Sequence, residues 1–169
     1  NNGVVYAAYK DFDATDKVQN ASVKKFENNA WSYVGAQQFT DHRVNHLYLA
    51  VGSDNAPVLG YVLARKEGGL ESRSPYAYQL SGSSWQARPI TSVDAAFFSR
   101  TFTGNDGKVY YAAMDMTPGT TPRKPTLLRL NNGVWQTVGS PLVSPAEDIY
   151  GAILIDAAVA EDGTAYMVF

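Results

Sequence analysis

The chain has 169 residues and a formal net charge of −2 at neutral pH, and it contains no cysteine. A nearly neutral chain argues against nucleic acids and anionic membranes as partners, because both favour basic surfaces. The absence of cysteine excludes structural disulfides and thiolate chemistry. No apolar run in the sequence is long enough to span a bilayer.

A unit of about fifty residues recurs along the chain, and a period of this length is typical of repeat folds. Each of three copies places a large apolar residue five positions before a tryptophan, with small or turn-forming residues between them. A second phrase, Gly-x-x-Tyr, begins at Gly3, Gly107 and Gly163. The apolar and tryptophan pairs are Phe26 with Trp31, Leu80 with Trp85, and Leu130 with Trp135.

The residue pattern predicts strands almost everywhere and no amphipathic helix. Each unit divides into four predicted strands, which we name A to D. Asn-Gly and Asp-Gly pairs favour tight turns in the A–B and C–D connections, because these residues accept positive φ. In chain order the predicted strands are B 4–9, C 22–26, D from Trp31, A 47–51, B 58–64, C 76–80, D from Trp85, A 96–102, B 109–114, C 126–130, D from Trp135, A 152–159 and B 164–169.

Repeated sets of four antiparallel strands predict an all-β fold, a β-propeller fragment of about three four-stranded blades. The predicted units are a partial blade at 1–46, blades at 47–95 and 96–148, and a partial blade at 149–169. Three blades do not readily close a ring, and an open arc exposes strand edges and faces. We therefore expect another chain, or a segment missing from this sequence, to complete the ring.

The loop lengths predict where a ligand binds. The B–C connections (10–21, 65–75, 115–125) and the D–A connections are long, whereas the A–B and C–D turns are short. In an antiparallel blade the long connections share one end, and long loops on a rigid scaffold commonly carry binding sites. The candidate binding residues on this face are Asp13, His42, Arg73, Arg123 and Glu147.

The phrases Gly-x-x-Tyr-x-Ala and Trp-x-x-Val-Gly, at this period, resemble the β-propeller repeats of secreted or surface-attached bacterial proteins. The resemblance covers essentially the whole chain, and its motifs are structural rather than catalytic. It implies a bacterial protein located outside the cell or on its surface. The chain lacks the Trp-Asp, paired-Gly kelch and sialidase-type motifs of other propeller families.

The repeated aromatic and apolar positions have a packing interpretation and a ligand interpretation. Trp31, Trp85 and Trp135 could stack on sugars, but their repetition beside a turn favours packing within or between blades. We also predict equivalent buried positions for two sets of residues. The sets are Phe26, Leu80 and Leu130, and, at least in part, Tyr61, Tyr111 and Tyr166.

Three groups of polar residues suggest chemistry, and none has a specific motif. His42 and His46, with Asp41, resemble metal ligands but lie in a predicted loop and strand. Asp11, Asp13 and Asp16 alternate as in a calcium loop but lack the later Gly and Glu of an EF-hand. Carboxylates on the long-loop face could form a glycosidase pair. Those carboxylates are Glu67, Glu71, Asp115, Glu147 and Asp148.

The favoured function is therefore a non-catalytic, extracellular recognition scaffold that binds a glycan or a protein through the long-loop face. We assign no catalytic residue, no metal site and no cofactor. One alternative is a fragment of a propeller hydrolase or lyase that acts on polysaccharide, and another is a structural spacer array. Whether the chain is an enzyme stays open, with a binding protein favoured.

Overall fold

The computed structural model describes residues 3–12, 14–15, 19–63, 65–67, 70–116, 124–139 and 155–168. Within these ranges the regular structure consists of antiparallel strands, which confirms the all-β prediction. The same ranges hold no helix that is long and apolar enough to cross a membrane.

The strands form consecutive sheets in chain order. They are β1 (Val5–Phe12), β2 (Gln19–Glu27), β3 (Ala30–Tyr33), β4 (Val44–Val51), β5 (Pro57–Leu63), β6 (Arg65–Glu67), β7 (Leu70–Ser72), β8 (Pro75–Ser81), β9 (Ser84–Ala87), β10 (Ala96–Thr103), β11 (Val109–Asp115), β12 (Lys124–Asn131), β13 (Val134–Thr137), β14 (Asp156–Val159) and β15 (Ala165–Val168). Sheet 1 is β1-β2-β3, sheet 2 is β4-β5-β8-β9, sheet 3 is β10-β11-β12-β13, and sheet 4 is β14-β15. The hairpin β6-β7 lies in a connection that the sequence predicted to be loop.

The residues of the tight turns determine how the last two strands of sheets 1 and 3 pair. Strand β12 pairs with β11 and then turns at Asn132 and Gly133, whose φ angles are 49° and 78°. Asn28 and Asn29 make the same turn in sheet 1, with φ angles of 52° and 60°. Two successive positive φ angles define the type I′ turn, which matches the twist of the flanking strands. The predicted pairing and turn are confirmed.

In sheets 2, 3 and 4, the turn between the first two strands carries an aspartate at the same position. The carboxylate of Asp106 accepts a hydrogen bond from the backbone N–H of Lys108 at 3.1 Å. Asp54 bonds the N–H of Ala56 and Asp162 bonds that of Thr164 in the same way. These Asx turns place Asn55, Gly107 and Gly163 at positive φ, which explains the repeated Asp-Asn and Asp-Gly pairs.

The sheets stack face to face, and the core lies between them. We call the face of a sheet that meets the preceding sheet its rear face, and the opposite one its front face. The rear faces of sheets 2, 3 and 4 each pack on the front face of the sheet before them. The buried rear-face residues are Leu59, Tyr61 and Tyr78 in sheet 2, Tyr111, Ala113, Leu128 and Trp135 in sheet 3, and Ala157 and Val159 in sheet 4.

Trp85 in sheet 2 and Trp135 in sheet 3 each join their own sheet to the sheet before it. The indole N–H of Trp85 donates to the carbonyl of Val34 at 2.7 Å, and that of Trp135 donates to the carbonyl of Arg88 at 3.1 Å. In both cases the acceptor stands three residues after the tryptophan of the preceding sheet. The inter-sheet packing interpretation is confirmed for these two residues. Trp31 differs, since its side chain is 50 % exposed.

The predicted buried sets are only partly correct. Phe26 is 37 % exposed, because the rear face of sheet 1 has no sheet packed on it among the described residues. Leu80 and Leu130 are partly buried rather than enclosed. Tyr61 and Tyr111 are fully buried as predicted, but Tyr166 is 62 % exposed.

The error at Tyr166 comes from its register. Tyr166 pairs with Ala158 one step in from the end of β14, and Tyr110 pairs with Phe102 one step in from the end of β10. Tyr166 is therefore the counterpart of Tyr110. Adjacent strand residues point to opposite faces, so an alignment shifted by one residue assigns the wrong face.

Partial burial lowers the effect expected from truncating Leu130. We expect Leu130→Ala to lower the free energy of unfolding by about 1–2 kcal/mol, below the 2–5 kcal/mol of an enclosed leucine. Leu128, which is fully buried two residues away, supplies the control and should lose that larger amount. Urea unfolding followed by circular dichroism measures both, and equal losses would contradict the difference in burial.

Candidate functional site

The predicted binding residues divide into two groups. His42 and Arg73 are described, whereas Asp13, Arg123 and Glu147 lie outside the described residues. The ring of His42 meets that of Tyr76 edge to face, with centroids 5.4 Å apart. Arg73 lies between β7 and β8, and its carbonyl accepts a hydrogen bond from the N–H of Ala96 at 2.9 Å.

A pocket of about 410 Å³ opens beside His42 at the end of sheet 2 that carries the long connections. Three segments form it: the connection from β3 to β4, the first residues of β8, and the connection from β9 to β10. We call it the loop pocket. Its lining residues are Asp41, His42, Ser74, Pro75, Tyr76, Ala77, Tyr78, Ala87, Pro89, Ile90, Val93 and Asp94.

A stack of tyrosines supports one wall of the loop pocket. The ring of Tyr61 lies nearly parallel to that of Tyr76, with centroids 5.5 Å apart, and to that of Tyr78 at 6.2 Å. Tyr61 is fully buried and Tyr78 is 8 % exposed, whereas Tyr76 is half-buried. The enclosed rings therefore hold Tyr76 rigidly while part of it faces the pocket.

Carboxylates lie at the exposed rim of the pocket. The phenol O–H of Tyr78 donates to Oδ2 of Asp41 at 3.4 Å. Burial raises the pKa of Tyr78, and the negative charge of Asp41 raises it further. Tyr78 therefore stays protonated at neutral pH and remains a hydrogen-bond donor. Asp94 reaches the rim from the connection between β9 and β10.

The two histidines do not approach one another as a metal pair. The ring of His46 meets that of Phe98, with centroids 5.3 Å apart, at an irregularity of β4, and His42 faces Tyr76. Burial lowers the pKa of His46, and the charges of Arg73 and Lys10 lower it further. Across the ranges given above, no three His, Cys, Asp or Glu residues are grouped as metal ligands.

Asp11 has protein partners. Its Oδ2 accepts hydrogen bonds from the hydroxyl of Ser22 at 2.7 Å and from the amide of Gln37 at 2.9 Å. The bond from Ser22 is the main cause that lowers the pKa of Asp11. Asp13 and Asp16 lie outside the described residues, so the calcium interpretation stays untested. Of the carboxylates considered for catalysis, Asp115 is 5 % exposed and lies within β11.

A larger open groove, of about 1030 Å³, follows the first strands of sheets 2, 3 and 4. Its walls include Tyr48 from β4, Phe102 from β10 and Val168 from β15. Arg100 and Asp156 form an ion pair in this groove. Most of its lining residues belong to the strands β4 and β10 and not to the connections between strands. We therefore prefer the loop pocket, where aromatic and polar side chains converge, as the candidate site.

The sequence interpretation missed most of the loop pocket. It selected His42 but not Tyr76, Tyr78 or Asp94. One signal was present, since the pairings make Tyr76 the counterpart of Ser22 in sheet 1 and Thr126 in sheet 3. An aromatic residue at a position where the other units carry a small hydroxyl residue marks a local departure from the repeat.

Comparisons with known proteins identify no family. No protein-family model matches the chain, and no curated protein matches it. Among solved structures, the fold has a likeness to a fucose lectin from Kordia zhangzhouensis, solved in complex with methyl-fucoside. That likeness covers 82 % of this chain and 93 % of the lectin, with 7 % sequence identity and a TM-score of 0.47.

Proposed function

We propose that sheets 1 to 4 are successive blades of a β-propeller and that the chain is an arc of its ring. The supporting observation is that each sheet is an antiparallel meander whose strands follow chain order from one edge to the other. The first strand of sheet 3, β10, packs against β4 and β5 of sheet 2. First strands that lie side by side are what the inner wall of a propeller requires.

We further propose that the loop pocket binds a glycan and that the chain is a non-catalytic recognition scaffold. The observation that carries this proposal is the half-buried Tyr76 ring, held by stacked tyrosines beside His42 and the carboxylate of Asp41. An aromatic face suits the C–H face of a sugar ring, and a carboxylate accepts hydrogen bonds from adjacent hydroxyl groups. The resemblance to repeats of secreted or surface-attached bacterial proteins supports a location outside the cell or on its surface as part of the same proposal.

The test begins with the wild-type chain on an array of plant, animal and microbial oligosaccharides. The glycan that binds most strongly is then titrated calorimetrically against Tyr76→Ala, which removes the half-buried ring. We expect at least a tenfold weaker affinity, about 1.4 kcal/mol, because the sugar loses its stacking surface. Ser83→Ala, at the tight turn between β8 and β9, supplies the control and should bind as the wild type does.

Three results would contradict this proposal. The first is an array on which the chain binds no glycan, and the second is an equal loss of affinity for Ser83→Ala and Tyr76→Ala. The third is release of reducing ends from the bound oligosaccharide, which would show a hydrolase or lyase instead of a passive scaffold. Melting curves of both variants confirm that they are folded.

A further inference from the structure

A polar cleft lies between sheets 2 and 3 near their tight turns, and we call it the inter-sheet cleft. Two adjoining cavities, of about 210 and 470 Å³, form it and share Asp54, Gln79, Asn132 and Gly133. Strand β8 of sheet 2 and strands β11 and β12 of sheet 3 contribute to its walls. The cleft shares no lining residue with the loop pocket, so a ligand here is independent of one bound there.

Arg88 gives this cleft a charge at a position where the repeat is apolar. The residue three positions after the tryptophan is Val34 in the first unit and Val138 in the third, but Arg88 in the second. The carbonyls of Val34 and Arg88 accept the same hydrogen bond from the indole of the next sheet. The backbone therefore keeps its repeated role at Arg88, and only the side chain departs from the repeat.

Gln79 departs from the repeat together with Arg88. The position of Gln79, directly before Leu80, is held by Lys25 in sheet 1 and by Arg129 in sheet 3. Oε1 of Gln79 accepts a hydrogen bond from Nε of Arg88 at 2.9 Å. A cation at position 79 has no acceptor atom and would repel Arg88. The two changes therefore act together to hold a guanidinium in the cleft.

The guanidinium of Arg88 is held in place but has no counter-ion. A Cβ built on Gly133 would lie 3.3 Å from Nε and 3.4 Å from Cζ of Arg88, so the group lies against the tight turn of sheet 3. Arg88 is half-buried, and its Nη1 reaches only the carbonyl of Ala87, at 3.5 Å. Among the described residues, Nη2 has no acceptor and no carboxylate forms an ion pair with Arg88. The end of the fork therefore offers its donors to an anion from outside the chain.

The rest of the cleft suits hydroxyl and C–H groups. Asp54 accepts the N–H of Ala56 through Oδ1, and a carboxylate has further acceptor sites. The side-chain amide of Asn132 is exposed at the rim and supplies both donors and an acceptor. Val109 and Leu130 add apolar surface. This combination matches a sugar ring, and the guanidinium beside it matches a carboxylate.

The charges around the cleft limit the size of the anion. Lys108, the second cation of the cleft, already pairs with Asp106 at 3.5 Å. Asp54 places a negative charge at the rim, so the surroundings of Arg88 carry no large positive field. One carboxylate balances Arg88, whereas a densely sulfated chain or a nucleic acid would meet the charge of Asp54.

We propose that the inter-sheet cleft is a second binding site and that it takes a hexuronic acid residue of an acidic polysaccharide. The guanidinium of Arg88, oriented by Gln79, donates to the carboxylate of the sugar. Asp54 and Asn132 bond to its hydroxyl groups, and the apolar surface between the sheets meets its C–H groups. The sugar carboxylate supplies the counter-ion that Arg88 lacks.

The experiment titrates trisaccharides of galacturonic acid and of glucuronic acid calorimetrically, each beside its methyl ester. We expect at least one acid to bind about tenfold more tightly than its ester, the effect of one hydrogen bond between charged groups. Arg88→Val restores the residue of the other two units and should remove this difference. Arg129→Val removes the same charge from a half-buried residue outside the cleft, supplies the control and should keep the difference.

Several results would overturn the proposal. Binding of neither acid does so, as does equal affinity for acid and ester. Acetate that binds as tightly as the trisaccharides would show a site for a carboxylate alone. Equal losses for Arg88→Val and Arg129→Val would show unspecific charge attraction, and a loss in Tyr76→Ala but not in Arg88→Val would place the acid in the loop pocket. Melting curves establish that the variants are folded, and Arg88→Gln takes the place of Arg88→Val if that variant is unfolded.

Discussion

Trp135→Ala is expected to lower the free energy of unfolding by about 3–5 kcal/mol, in the range of large aromatic truncations in cores. The side chain is 8 % exposed and packs in the cluster between sheets 2 and 3, edge to face with Tyr111 at 5.9 Å between centroids. Truncation opens a cavity and also removes the N–H that bonds the carbonyl of Arg88. Urea unfolding followed by circular dichroism measures the loss.

Two matched variants separate the causes of this loss. Trp135→Phe keeps most of the ring but removes the N–H, so it should lose about 1–2 kcal/mol, the effect of one hydrogen bond plus a little volume. Trp31→Ala truncates the same repeated position at the half-exposed end and should lose no more than about 1 kcal/mol. Equal losses for Trp31→Ala and Trp135→Ala would contradict the inter-sheet role.

The strand pattern and the turns were predictable because they depend on local chemistry. The Asn132 and Gly133 turn follows from residues that tolerate positive φ, and the pairing of β11 with β12 follows from the apolar runs that flank the connection. The repeat also indicated that the tryptophans pack. It could not show the carbonyl that each indole bonds, because that atom belongs to another sheet about fifty residues away.

The loop pocket was predictable only as a location. Loop lengths indicated the end of the sheets at which His42 lies, since antiparallel connections alternate between the two ends. They could not indicate Tyr76, because in the sequence it has the pattern of an ordinary residue of β8. Its role depends on the stacking of Tyr61 and Tyr78, which is a matter of packing between neighbouring strands. Loop lengths therefore cannot predict which side chains meet in the pocket.

Gly60→Ala is expected to destabilise the chain although it adds one methyl group to a buried strand. Gly60 lies in β5 on the front face of sheet 2, at the position that Ala112 holds in sheet 3. A Cβ at Gly60 would overlap the hydroxyl of Thr101, and it would lie 3.1 Å from Cβ of Thr101 and 3.2 Å from Cδ2 of Tyr111. Thr101 and Tyr111 are 3 % and 0 % exposed, so neither has room to withdraw. Overpacking of this kind costs about 1–3 kcal/mol.

A double-mutant cycle attributes the loss at Gly60 to the contact with Thr101. In the described structure the hydroxyl of Thr101 is buried and has no hydrogen-bond partner, so Thr101→Ala alone should lower the free energy of unfolding by only about 1 kcal/mol, the effect of the lost methyl group. In combination it removes the hydroxyl that the new methyl group would overlap, while the 3.1 Å contact with the Cβ of residue 101 remains. We expect Gly60→Ala with Thr101→Ala to recover at least half of the stability lost in the single Gly60 variant, measured by urea unfolding. Strict additivity would show that the loss arises from the strand backbone and not from the closeness of sheets 2 and 3 at this point.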